Sequence, residues 1–169
     1  MIKPREKTPN LRINLVNDTQ WNLQDQDPDN FTMILFYRGK HCPVCKKQLQ
    51  ELQQKVNDFT DKGINVIAIS TDTEARAKET YKEWKIESIP LGYEFSIEEA
   101  RKWGLFISER VSDKEPNTFV EPGMFIIDKE SKLYWSSIQS MPFARPPFEE
   151  VLRGIDYILK ENYPARGEA

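Results

Sequence analysis

The chain has 169 residues, 38% of them hydrophobic, and Lys+Arg 24 against Asp+Glu 27 leave a formal net charge of −3. A chain this long buries about two thirds of the surface its unfolded form exposes, so one domain spanning residues 1–169 is expected, with no need of metal or disulfide staples. The mild acidity without a basic block argues against a nucleic-acid platform or a polybasic membrane anchor, and the single histidine, His41, excludes HExxH and multi-histidine zinc sites.

No stretch approaches the ~18 consecutive apolar residues of a membrane span, and residues 1–10 are charged and proline-bearing rather than the apolar core of a signal sequence, so a cytoplasmic location is expected. A short apolar alternation at Leu11, Ile13 and Leu15 comes first, and the run Phe31 to Tyr37 then reads as a strand buried on both faces. From Pro43 the apolar residues Val44, Leu49, Leu52, Val56 and Phe59 fall near helical spacing, with Gly63 placed to stop the helix. Ile64 to Ser70 is apolar again. Strand, helix and strand form a βαβ unit, which makes the first of these strands central and the two parallel.

Further helices are predicted around Thr73 to Trp84 and from Ser96, whose hydroxyl and Glu99 three residues on suit a capping box, with Gly104 closing it. Met124 to Ile127 and Leu133 to Ile138 read as a hairpin across a polar turn. Pro146 and Pro147 precede Phe148, Val151, Leu152, Ile155 and Ile158, a last helical series. The order matches an α/β, thioredoxin-like fold: a central mixed sheet flanked by helices, here with an N-terminal extension and inserted elements.

The two cysteines stand at the strand-to-helix junction as Cys42-Pro43-Val44-Cys45. This places Cys42 near the N-cap, where free N–H groups and the helix dipole lower a thiol pKa below about 8.5, and Pro43 near N1, where the missing N–H costs nothing. The spacing puts both sulfurs on one helical face about a turn apart. In a reducing compartment such a pair is redox-active or metal-binding rather than a structural bridge, and no second CxxC exists to complete a zinc site. From Asn30 to Gln50 there is no carboxylate, while Arg38, Lys40, Lys46 and Lys47 surround the pair. His41 adds a possible positive charge or proton acceptor. No GxGxxG or CxxCH motif calls for nicotinamide, flavin or haem, so no cofactor is expected.

FYRGKHCPVC (36–45), IPLGYEFSIEEARKWG (89–104) and EPGMFIIDKESKL (121–133) resemble the peroxiredoxins, the alkyl hydroperoxide reductase and thiol-specific antioxidant family, over most of the chain. The nearest pattern is a peroxiredoxin-like group with a thioredoxin-type CxxC. Where that family has PxxxTxxC, this chain has Arg38, Cys42 and Cys45. One family arginine is replaced by Pro122, which resembles the cis-proline that thioredoxins hold beside their dithiol, although most X–Pro bonds are trans. With Pro122 cis, Glu121 would offer its backbone to a partner, and its carboxylate would raise the Cys42 pKa. A second family arginine matches Arg145. The strand directions bring Pro122 and Arg145 toward Cys42. The acid that thioredoxins bury is absent, Phe36 standing there.

The leading expectation is dithiol–disulfide exchange on a disulfide-bearing protein, with Cys42 attacking and Cys45 resolving. The resemblance also implies a peroxidase acting on a small hydroperoxide, with Arg145 polarising the peroxide and either cysteine first. Both need an external thiol reductant of thioredoxin or glutathione type. A non-enzymatic redox sensor or partner-binding module, whose loop rearranges on oxidation, is the third reading. The resemblance further implies that a homodimer is possible.

Overall fold

In the computed structural model, which describes residues 1–169, the N-terminal alternation forms β1 (Arg12–Leu15), which pairs antiparallel with β2 (Gln20–Asn22). A 3-10 turn leads into β3 (Phe31–Phe36), every residue of which is buried. α1 (Pro43–Asp61) ends where Gly63 takes a φ of +72°, a conformation that glycine adopts without steric cost. β4 (Ile64–Ile69) then runs parallel to β3, completing the βαβ unit.

α2 (Glu74–Glu83) is capped by the Thr73 hydroxyl, β5 (Leu91–Tyr93) follows, and α3 (Ile97–Lys102) is capped by the Ser96 hydroxyl on the Glu99 N–H. β6 (Ile107–Glu109) and β7 (Thr118–Val120) pair as a separate hairpin. β8 (Gly123–Asp128) and β9 (Leu133–Ile138) form the late hairpin, and α4 (Phe148–Glu161) closes the chain's regular structure. Pro147 is the N-cap of α4 and makes no side-chain cap.

The seven-stranded sheet has the order β2-β1-β5-β4-β3-β8-β9, with β3 between parallel β4 and antiparallel β8. This is a mixed, thioredoxin-like sheet with β1–β2 added at one edge and α3 with the β6–β7 hairpin inserted. The period of two along β3 divides the core: Met33, Leu35 and Tyr37 pack with α1 and α4, whereas Ile34 and Phe36 pack with α3. Phe36 meets Phe95, Trp103 and Phe125 at ring separations of 5.0 to 5.6 Å, an aromatic contact set with no room for a carboxylate.

The turn after β3 depends on Gly39, at φ +123°, where an added Cβ would lie 2.7 Å from both carboxylate oxygens of buried Asp72. That carboxylate accepts the Lys40 N–H at 2.7 Å and the Arg76 Nε–H at 3.1 Å, so it has little freedom to retreat. Gly39→Ala therefore combines backbone strain with a steric clash and is expected to cost roughly 2–3 kcal/mol. A urea midpoint that falls at constant slope would show it, and an unchanged midpoint would refute the strain argument.

Candidate active site

The site grows from the end of β3. Tyr37 N–H donates to the Ile69 carbonyl, prolonging the sheet by one bond, and the Cys42 N–H donates to the Gly39 carbonyl at 3.1 Å. This turn delivers Cys42 as the N-cap of α1 with Pro43 at its first position. The Cys42 Sγ accepts the Cys45 N–H at 3.2 Å, the role a serine or aspartate oxygen has at ordinary helix starts. Both cysteines are free thiols, and only 1% of Cys42 and none of Cys45 is exposed.

Arg145 reaches the pair from the loop after β9. Its Nη2 lies 3.1 Å from Cys45 Sγ and 3.7 Å from Cys42 Sγ. The same guanidinium donates through Nη1 to Gln48 Oε1 and through Nε to the Pro142 carbonyl. These anchors, with Ala144 at φ +57° before it, fix a planar fork against two sulfurs. The lone Gln48, one turn beyond Cys45 on a stripe of apolar residues, is a partner that the sequence reading passed over.

Arg38 lies on the other side of the loop. Its Nε is 3.1 Å from Glu121 Oε2, its Nη2 3.6 Å from Glu115 Oε1, and its Cζ 4.8 Å above the Phe119 ring. Ser108 donates to the other Glu121 oxygen at 2.6 Å. His41 meets Phe119 edge-on at 4.7 Å, and both its ring nitrogens are buried without a partner. Burial, then the Arg38 charge, lowers the His41 pKa; the imidazole is neutral near pH 7 and adds no positive charge to the dithiol.

The two thiols are driven apart in acidity. A hydrogen bond from the Cys45 thiol favours the Cys42 thiolate most; the Cys45 N–H, the Arg145 charge and Arg38 add to it against the cost of burial, and the pKa falls to about 6. Burial, then the neighbouring Cys42, pushes the Cys45 thiol well up. Both shifts run in the direction that favours the anion on Cys42 and the proton on Cys45.

Four expectations need correction. No peptide bond is cis, so Pro122 is trans: extended chain passes from β7 into β8 with the Glu121 N–H donating to Phe106 and the Pro122 carbonyl accepting from Gln139. The Glu121 N–H is thus not free for a partner. Its carboxylate is spent on Arg38 and Ser108 rather than on a sulfur. Lys40 turns away to Glu79 and Glu83 of α2, which reduces the basic surround of the dithiol chiefly to Arg145 and Arg38.

A CxxC dithiol at the head of a helix, on a thioredoxin-like sheet, defines a thiol oxidoreductase. Residues 4–136 match the AhpC/TSA family, and the chain belongs to that family. It is 25% identical over 165 residues to alkyl hydroperoxide reductase C of Helicobacter pylori strain J99, covering 94% of this chain and 78% of that one. Thiol peroxidase of Aquifex aeolicus is 19% identical, with 94% and 89% covered. Among solved structures, peroxiredoxin 6 of Arenicola marina superposes with a TM-score of 0.80 at 21% identity, over 96% of this chain and 76% of that chain. BcpB of Mycobacterium tuberculosis superposes with 0.74 at 16%, over 94% and 99%. No helix is long and apolar enough to cross a membrane.

Proposed function

We propose that the protein is a two-cysteine thiol peroxidase in which Cys42 attacks a hydroperoxide and Cys45 resolves the product. The observation that carries this reading is the Arg145 guanidinium donating toward both sulfurs from a fixed anchorage. A cation so placed stabilises the attacking thiolate and the negative charge that develops on the departing oxygen. The dithiol-exchange reading is less well supported for the oxidising substrate: a polypeptide disulfide needs exposed sulfur and a free backbone edge, and here the sulfurs are covered and the Glu121 N–H is engaged. Disulfide exchange keeps its place as the return step, which acts on the oxidised Cys42–Cys45 bridge and requires a sulfur to be uncovered in that state.

The Cys42 thiolate attacks one peroxide oxygen; an S–O bond forms, the O–O bond breaks, and the departing alkoxide or hydroxide takes a proton to leave as alcohol or water. Cys42 is then a sulfenic acid. The Cys45 sulfur attacks it, the S–O bond breaks, and hydroxide leaves with the Cys45 proton as water, closing a Cys42–Cys45 disulfide. An external thiol reductant, one dithiol of thioredoxin type or two monothiols of glutathione type, restores both thiols by exchange and leaves as the corresponding disulfide.

The first step needs the anion, so its rate constant is expected to rise with pH through a midpoint near the Cys42 pKa of about 6 and to be flat above it. Thiol loss in reduced protein mixed with hydrogen peroxide, followed by stopped flow across the pH range, measures this. A midpoint in the range of ordinary thiols, about 8.5, would overturn the assignment. Catalytic turnover of hydrogen peroxide or an organic hydroperoxide with a dithiol reductant supports the peroxidase. Turnover with insulin disulfides alone returns the first step to dithiol exchange, and stoichiometric oxidation alone leaves a sensor.

A further inference from the structure

Phe119 is 1% exposed yet belongs to neither of the two core clusters. Its ring instead contacts the guanidinium of Arg38 and the imidazole of His41, both on the loop that presents Cys42. The hairpin that carries it is tied to the loop at two points, Arg38 to Glu115 and Arg38 to Glu121, and is braced internally by Ser108 donating to Glu121. Burying the two His41 nitrogens unpaired against a phenyl ring is unfavourable for stability. The arrangement sets a buried phenyl ring against His41, the neighbour of Cys42, and Arg38, whose side chain reaches the Cys42 sulfur.

We propose that Phe119 is a specificity-determining residue: the β6–β7 hairpin seats it as a plug on the dithiol loop, admitting small hydroperoxides to Cys42 and excluding disulfides. The inference rests on the peroxidase reading above. Both reactions are in-line displacements by the same thiolate, but they differ in the clearance they need. A hydroperoxide presents a terminal oxygen with only hydrogen attached, whereas a disulfide sulfur carries carbon substituents that must fit beside the attacked bond. Covering the loop therefore penalises the second substrate far more than the first.

The test compares reduced wild type with Phe119→Ala, reading the initial rate of Cys42 oxidation by hydrogen peroxide and by 2,2′-dithiodipyridine, a neutral aromatic disulfide. The quantity of interest is the disulfide-to-peroxide rate ratio, because a change in thiolate acidity or abundance moves both rates together. Phe119→Ala is expected to raise the ratio by roughly tenfold or more. Phe119→Leu, which keeps an apolar side chain on the hairpin, is expected to raise it by less and supplies the answer if the alanine variant does not fold. A ratio unmoved in the folded variants, with hydrogen peroxide turnover intact in wild type, overturns the plug alone. Wild type that reacts with the disulfide and not with peroxide overturns the peroxidase reading and the plug with it.

Discussion

Cys42→Ser is expected to abolish peroxide consumption, a loss of roughly a thousandfold or more, since a serine hydroxyl beside the same arginine is not ionised near neutral pH. Cys45→Ser is expected to behave differently. Its hydroxyl still donates to the Cys42 sulfur, replacing the largest single contribution to the low Cys42 pKa, so the first oxidation proceeds at nearly the wild-type rate. Without a second thiol no internal disulfide closes, the sulfenic acid persists in the absence of reductant, and the protein then consumes one equivalent of peroxide. Trapping with dimedone and peptide mass spectrometry should place the adduct on Cys42. Cys45→Ala separates the two roles, because it removes the hydrogen bond as well as the resolving thiol and should move the alkylation midpoint of Cys42 upward. The reverse pattern, a dead Cys45→Ser and a trapped adduct in Cys42→Ser, would assign the attack to Cys45, the sulfur nearer to Arg145 and the one in the family's cysteine position. That outcome would require the buried Cys45 thiol to lose its proton in the complex with peroxide.

The chemistry at the helix start was legible because it is local. The positions of Cys42 and Pro43 relative to α1 follow from the switch between an apolar run and a helical period, and N-cap geometry then fixes which sulfur meets the backbone N–H. Arg145 followed from resemblance plus strand direction, and its anchorage to Gln48 and Pro142 was beyond reach since it depends on a loop of irregular shape. The failures share a physical origin in pairing between distant segments. Lys40 is adjacent to His41 in the chain, but a turn points neighbouring side chains in different directions, and Glu79 and Glu83, one turn apart on α2, capture it. The β6–β7 hairpin consists of two three-residue strands around a charged loop, too short for period-two alternation to register. Missing that hairpin hid the Phe106 carbonyl that occupies the Glu121 N–H, and with it the reason the thioredoxin-like use of Pro122 does not apply. It also hid Phe119 and Glu115, which contact Arg38, and Ser108, which holds the second oxygen of Glu121.

Replacing Arg145 should give the largest effect of any residue that is not a cysteine. Arg145→Met removes the guanidinium while filling part of its volume, and the rate constant with hydrogen peroxide is expected to fall about a hundredfold, equivalent to about 2.7 kcal/mol of barrier. Two contributions make up that loss, and pH separates them. The first is acidity: without the positive charge the Cys42 midpoint moves up from about 6, which costs rate near neutral pH and is recovered in alkaline solution. The second is stabilisation of charge on the departing oxygen, which no increase in pH restores. Measured at a pH where Cys42 is fully ionised in both proteins, the variant should therefore remain at least tenfold slower. Arg145→Lys should recover most of the acidity effect and little of the remainder, since an ammonium supplies charge but lacks the planar fork that spans both sulfurs and Gln48. If the variant instead matches wild type once Cys42 is ionised, Arg145 acts only on the ground-state thiolate. Leaving buried Gln48 without its partner also lowers stability, so the thermal midpoint must be recorded beside the rates. A fall in thermal midpoint with unchanged kinetics across the whole pH range would reduce Arg145 to a strut.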